Sequence, residues 1–401
     1  MVLALAAMLL AATPNVSCRA SALHSEAQEK TVKLPVENGL VRVSVDGQEA
    51  DLLLDSGYYD LTVIDGHWYE RTYGDGACQK LGSGCYFCPQ QALCDFDSKS
   101  GVSTMKMAGS TTMKAIHRSG TLELGGHVAT GISFRVCRAV HVNKGSTIFG
   151  LFGISMLPKS SGLCKFAPNA LSVMEFLMNR SLIGRLSYTL RTNTTQSSDF
   201  VSGEIALGDT IDESETAKYT FPEFTSSTKT QQALPTVWVS SVKMLDTNDN
   251  LLRTEGSTLR NTSSYPALVD TGTSDILLSQ PELLEDISYK IRMNLKKKGY
   301  TEERVSQMWR RGTLPRVTDQ GFLRVEEEAS PSLPVLEFQL GHGSKSMSLK
   351  IPPRHYCINK RKGVLLLKIG EAKSSILGTP LFRAYSVHVD FTDHRIALLE
   401  N

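Results

Sequence analysis

From Leu34 onward the chain alternates apolar and polar residues in short runs, at 40–45, 51–54, 121–124, 203–207, 237–245, 336–340 and 385–391. A period of two sends successive side chains to opposite faces of an extended backbone. The runs are rich in β-branched residues and punctuated by Gly or Asp-Gly, so each predicts a strand. Helical periodicity is confined to two stretches. One is a short amphipathic segment over 170–178. The other is a long charged segment over 281–311, opened by Pro281 and followed by Gly312, the usual asymmetry of helix starts and stops. The predicted class is mostly β with few helices.

One pattern occurs twice. Leu52-Leu53-Leu54-Asp55-Ser56-Gly57 and Ala267-Leu268-Val269-Asp270-Thr271-Gly272 both carry an apolar run into an acidic, small-residue turn. Each is followed, further along its half, by two bulky apolar residues and a glycine: Ile148-Phe149-Gly150 in the first, Ile376-Leu377-Gly378 in the second. A single Asp-Thr-Gly is a weak signal, because tight turns use these residues routinely. Recurrence in the same order, once per half, marks an internal repeat and pairs Asp55 with Asp270. Two carboxyls brought close cannot both ionise cheaply, so they share a proton. One then serves as general base on a water while the other donates to a carbonyl oxygen. Gly57 and Gly272 permit tight turns beside the pair, and the hydroxyls of Ser56 and Thr271 are suited to brace the turns against each other.

Composition narrows the alternatives. At 401 residues the chain exceeds the size of one growing core, so two domains are expected. A hydrophobic fraction of 41% and a charged fraction of 21% describe a globular protein rather than a disordered one. A formal charge of +2 argues against a surface for nucleic acid or anionic membrane. Lys296, Lys297 and Lys298 form a tight basic run and lie among glutamates, which reads as a solvated helix face. Trp68, Trp238 and Trp309 read as packing residues, without the array that base stacking needs. There is no HExxH pair for a metallopeptidase, no Gly-x-Ser-x-Gly elbow and no phosphate-cradling glycine loop. What remains is carboxylate chemistry, with no metal and no cofactor expected.

Residues 1–12 are almost entirely apolar and Ala20-Ser21-Ala22 follows them, which predicts a secretory signal peptide over 1–22. No later segment reaches membrane-spanning length. Cys18 leaves with the signal. Cys78, Cys85, Cys88 and Cys94 crowd one segment; the gap between Cys85 and Cys88 suits zinc, but the flanking spacings are irregular and an exported chain meets an oxidising environment. Two local disulfides are therefore expected there. Cys137 and Cys164 are candidates for a third, which leaves Cys357 unpaired. Sequons at Asn179, Asn193 and Asn261 fit a secreted or lumenal surface.

The paired loops resemble those of the pepsin-like aspartic peptidases of eukaryotes, and the likeness runs from about Val36 to the C-terminus. It is most specific over 267–278 (ALVDTGTSDILL) and 376–399 (ILGTPLFRAYSVHVDFTDHRIALL), while 203–208 (GEIALG) is similar to the strand that starts the crossing between lobes. The resemblance implies two β-rich lobes related by a pseudo-two-fold, with a cleft between them and one Asp from each. The N-terminal lobe would span 31–205 and the C-terminal lobe 206–401. It implies an endopeptidase that cuts an extended peptide or protein through Asp55 and Asp270. The mature chain would be a monomer in the extracellular space or an acidic vacuolar lumen, with no nucleic-acid or membrane partner. Thr273 matches the family's second hydroxyl, bonded to its Asp.

The first half departs from the family. Tyr58 stands where a Ser is usual, so Asp55 is expected to lose a hydrogen bond worth ~1.5–3 kcal/mol, which would raise its pKa. Thr62 takes the place of a Trp behind the flap. The flap hairpin itself aligns with 115–120, so that His117 replaces a Tyr near a tip formed by Ser119 and Gly120. A protonated His there would depress the carboxyl pKa values. The stretch between Ala22 and Val36 is short for the family's basic prosegment. These departures sustain a second expectation, a binding protein that keeps the fold with weak or no catalysis.

Overall fold

The computed structural model describes residues 30–401 apart from 99–100, 107–110, 142–147, 158–170, 194–197, 223, 225–233, 253–263, 280, 314–320, 342–345 and 362. The expected signal peptide, Cys18, Cys164 and Asn261 lie outside the described residues.

The alternation along the chain becomes strands. The first half holds β1 (Val32–Val36), β2 (Leu40–Val45), β3 (Gln48–Asp55), β4 (Leu61–Ile64), β5 (Val102–Lys106), β6 (Thr112–Leu124), β7 (His127–His141) and β8 (Leu151–Gly153). In β1 and β2 every second side chain is buried, as one solvated face requires. The short inner strands β4 and β8 are buried throughout. After β9 (Ser187–Asn193) and β10 (Ser202–Leu207), the second half holds β11 (Thr236–Leu245), β12 (Tyr265–Val269), β13 (Ile276–Leu278), β14 (Trp309–Thr313), β15 (Gly321–Glu326), β16 (Val335–Leu340), β17 (Met347–Ile351), β18 (Cys357–Arg361), β19 (Val364–Leu367), β20 (Ile369–Glu371) and β21 (Ser375–Leu377). The chain closes with β22 (Tyr385–Asp390) and β23 (Arg395–Glu400).

Two seven-stranded sheets repeat one plan. The first has the order β2-β3-β8-β4-β7-β6-β5 and the second β17-β16-β11-β12-β21-β13-β20. In each, the strand leading to an Asp runs parallel to a three-residue strand, β3 with β8 and β12 with β21. That short strand pairs antiparallel with the strand that follows the Asp turn, β4 or β13. A third sheet, β1-β10-β9-β22-β23, takes strands from both ends of the chain and ties the lobes together. The lobe boundary expected between residues 205 and 206 falls inside β10. A hydrophobic core containing Leu54, Phe152, Tyr188, Val269, Leu377 and Phe382 runs through both lobes under the Asp turns.

The long helix expected over 281–311 is two helices and a strand: Pro281–Lys297, Glu302–Met308, then β14. Gly299 breaks it with φ of +94°, a left-handed conformation that an α-helix excludes and glycine tolerates. Lys296 then pairs with Glu302, and Lys298 donates to the Pro331 carbonyl. The helix expected over 170–178 is Val173–Asn179, started by Ser172, which forms a reciprocal capping box with Glu175.

Two local disulfides form, Cys78–Cys85 and Cys88–Cys94. Cys137, expected to pair with Cys164, is instead a free buried thiol in β7 with its Sγ 3.9 Å from Met105 Sδ; burial holds its pKa high, at about 12. Cys357 is also free. No helix among the described residues is long and apolar enough to cross a membrane.

Candidate active site

β3 and β12 drive apolar residues into the core and release an Asp at their ends: Leu54 and Val269 are buried, and the chain turns immediately after them. The register beside each turn corrects one expectation. Leu54, the residue before Asp55, pairs with Phe152, as Val269, before Asp270, pairs with Leu377. The counterpart of Ile376-Leu377-Gly378 is therefore Leu151-Phe152-Gly153, three residues beyond the Ile148-Phe149-Gly150 read from sequence. The reason is steric. A Cβ at Gly153 would lie 2.7 Å from the Tyr58 carbonyl oxygen, and one at Gly378 would lie 2.3 Å from that of Thr273. Tyr58 and Thr273 each stand three residues after an Asp, so both glycines admit the same point of the repeated loop.

The two turns meet across the lobes in a symmetric brace. Ser56 N donates to Thr271 Oγ1 at 3.0 Å, and Thr271 Oγ1 donates to the Leu54 carbonyl at 2.7 Å. Reciprocally, Thr271 N donates to Ser56 Oγ at 3.0 Å, and Ser56 Oγ donates to the Val269 carbonyl at 2.9 Å. Ser56 thus supplies the same hydroxyl as Thr271. Both are buried, where charge-free hydrogen bonds of this kind contribute on the order of 1 kcal/mol each.

The brace brings the carboxyls together. Gly57 N donates to Asp55 Oδ1 at 2.8 Å and reaches Asp270 Oδ1 at 3.2 Å; Gly272 N donates to Asp270 Oδ1 at 2.9 Å. Each carboxyl lies over the opposite glycine: a Cβ at Gly57 would stand 3.1 Å from Asp270 Oδ1 and one at Gly272 2.7 Å from Asp55 Cγ. A side chain at Gly272 would displace Asp55, and one at Gly57 would crowd Asp270.

Their surroundings differ. Thr273 Oγ1 donates to Asp270 Oδ2 at 2.6 Å, so Asp270 has three donors. Asp55 has only Gly57 N among the bonds described. Tyr58 turns away from it: Thr62 Oγ1 donates to the Tyr58 hydroxyl at 3.4 Å, which lies 4.0 Å from Met105 Sδ. The two family departures at 58 and 62 are one packing event, a small residue at 62 making room for the ring at 58. Asp55 is held well above the usual carboxylate range, first by burial, then by the negative charge of Asp270 and the bond between the carboxyls, against the pull of Gly57 N. Tyr58 is pushed up mainly by burial.

Three supporting residues had no sequence signal of their own. Ser155 N donates to the Tyr58 carbonyl at 2.9 Å and its hydroxyl donates to the Ser56 carbonyl. Thr379 does the same service in the second lobe, its N and Oγ1 donating to the Thr273 carbonyl at 2.8 and 2.9 Å. Fully buried Tyr188 faces Ser56 from β9.

The stretch expected to form the flap tip does not turn. β5 pairs antiparallel with β6 from Val102 opposite Ile116 to Lys106 opposite Thr112, and His117, Ser119 and Gly120 lie in the body of β6, opposite Arg135, Ser133 and Ile132 of β7. Gly120 marks a register shift. A Cβ there would stand 2.3 Å from Asp46 Oδ1, which accepts from Thr121 N at 2.7 Å. Its glycine thus serves the bulge, which imitates a tip in sequence. His117 is exposed, and its pKa is lowered by partial burial and then by Arg135.

Among the described residues no three His, Cys, Asp or Glu side chains gather as a metal would need. No curated protein matches the chain. A model of the eukaryotic aspartyl protease family matches residues 38–400, a span that takes in both Asp turns, the brace between them and all but β1 of the sheet shared by the lobes. With its mostly β, two-lobed architecture and its repeated loops, the chain belongs to the eukaryotic aspartyl proteases.

Proposed function

We propose that the protein is an active aspartic endopeptidase in which Asp55 and Asp270 are the catalytic dyad, supported by Ser56, Gly57, Thr271, Gly272 and Thr273. The observation that carries this reading is the crossed placement of the two carboxyls over Gly57 and Gly272, held by the four-bond brace. Asp55, with one donor and a pKa held high by burial, is the place for the shared proton, while Asp270 accepts from three donors. Asp270 then takes a proton from the attacking water while Asp55 donates to the substrate carbonyl oxygen. Collapse of the tetrahedral intermediate returns a proton to the leaving nitrogen. The substrate is an extended peptide or unfolded protein segment in the interlobe cleft, as the family implies. Export, a monomeric state, lobes spanning 31–205 and 206–401, and glycan attachment at the exposed Asn179 and Asn193 belong to the same proposal.

The test is cleavage of a denatured protein across roughly pH 3 to 7, with Asp270→Asn alongside and a peptide inhibitor carrying a hydroxyl at the tetrahedral position as control. Turnover in the wild type, absent in the variant and in the inhibited sample, is expected. Asp270→Asn retaining full turnover would rule out the dyad. A second reading, a peptide-binding homologue with little catalysis, draws on the single donor at Asp55; it predicts that the inhibitor binds a protein that does not cut.

A further inference from the structure

The two Asp loops share a feature beyond the repeat already described. Five residues after each Asp stands another aspartate, Asp60 in the first lobe and Asp275 in the second, and both are buried. Each meets a buried cation. Arg135 Nε lies 2.6 Å from Asp60 Oδ2, and Lys368 Nζ lies 3.0 Å from Asp275 Oδ1. The cations come from equivalent places. Arg135 is in β7, which runs parallel to β4; Lys368 immediately precedes β20, which runs parallel to β13. Their registers against the following strand, Arg135 opposite Thr62 and Ile369 opposite Ile276, place them two residues apart on matching strands. A period of two keeps both on the same face.

Each pair is woven into its catalytic loop. Arg135 also donates to the Tyr59 hydroxyl at 3.2 Å, and Asp60 Oδ1 accepts from Leu61 N at 2.9 Å. Lys368, with no exposed side-chain surface, donates to Ser274 Oγ at 3.1 Å and pairs with Asp199 at 3.0 Å. Ser274 in turn donates to Asp275 Oδ2 at 2.7 Å. Ser274 is the residue after Thr273, whose hydroxyl holds Asp270. The loops are thus gripped twice, by the brace at their entry and by an ion pair at their exit.

Buried ion pairs are poor stabilisers, because desolvation offsets most of their attraction, and apolar replacements are often as stable. Two of them, at matching points of two loops whose carboxyls must meet, make sense as devices of geometry. We propose that Asp60–Arg135 and Asp275–Lys368 are paired positioning residues that set the approach of Asp55 and Asp270, an inference that rests on the peptidase reading above.

The test compares Lys368→Met, Arg135→Met, Lys368→Arg and the neutral double variant Lys368→Met/Asp275→Leu in the full chain, with active sites counted by titration with the hydroxyl-bearing inhibitor. A carboxyl displaced by a fraction of an ångström is expected to cost at least about tenfold in kcat per titrated site, with KM changed much less. Lys368→Arg is expected to restore kcat. The double variant, which removes both members of the Asp275–Lys368 pair and leaves the partly exposed Asp199, is expected to fold and still to lose kcat. Variants that lose thermal stability but keep kcat per site would overturn the proposal. If the wild type does not cut, the peptidase reading fails by itself, and positioning is then read from binding. Loss of affinity for the hydroxyl-bearing inhibitor, larger than for its deoxy counterpart, supports it, and equal loss for both overturns it.

Discussion

Asp55 and Asp270 occupy repeated loops, yet the hydroxyl that holds Asp270 from Thr273 has no equivalent at Tyr58. Tyr58→Ser would offer Asp55 a donor that favours its ionised form. Because that form gains stability, both limbs of the kcat/KM profile are expected to move to lower pH. A bond to a charged group, ~1.5–3 kcal/mol, corresponds to a shift of about one to two pH units. A profile that stays in place, or moves up, would remove the link between position 58 and Asp55. Loss of the ring leaves a cavity beside Thr62 and is expected to lower the melting temperature, at a cost of about 3–5 kcal/mol. The missing bond was legible in the sequence, since the backbone repeat places residue 58 as it places residue 273. The contact between Tyr58 and Thr62 was not, because it depends on how the turn folds back between them.

At the scale of elements, glycines were read for the right reason in the wrong places. The repeat needs a glycine where the loop passes the short parallel strand, and the chain offers both Gly150 and Gly153. Only the pairing of β3 with β8 selects Gly153. Gly153→Ala would put a methyl 2.6 Å from Asp60 N and 2.7 Å from the Tyr58 carbonyl oxygen, backbone atoms that cannot rotate aside. A loss of stability of at least about 1–3 kcal/mol is expected, together with lost turnover. Gly82→Ala, with nothing within 4 Å, is expected to melt with the wild type. Equal melting temperatures for both variants would refute the packing argument. Gly120 misleads in the same way: it serves a bulge around the Asp46 carboxylate, a role with no local signature distinct from a hairpin tip. Gly299, by contrast, follows three lysines, the usual signal of a helix stop.

For the whole molecule, buried titratable groups oppose one another as pH changes. Asp55, raised on folding, takes up a proton in the native state. Its contribution to stability is fully present below the ordinary carboxylate range and is lost as pH rises through its raised folded value. His388 and His355 are pushed down from 6.5 to about 4, chiefly by burial. Their contribution is present above 6.5 and is lost as pH falls towards about 4. Asp55→Asn removes the first effect alone. Its melting temperature relative to wild type is expected to climb as pH rises from acid to neutral, and a difference that stays constant would contradict the raised pKa. By itself the sequence determined the strand-rich class, the duplication, the pairing of Asp55 with Asp270, the bracing hydroxyls and the local disulfides, because all of these rest on short-range pattern or on a motif repeated in order. Only the tertiary structure decided which glycine admits the loop, that Tyr58 packs on Thr62, that Cys137 stays a free thiol, and that Arg135 and Lys368 stand behind matching points of the two loops. Those features depend on residues far apart in the chain meeting at a few ångströms, and neither periodicity nor composition records that distance.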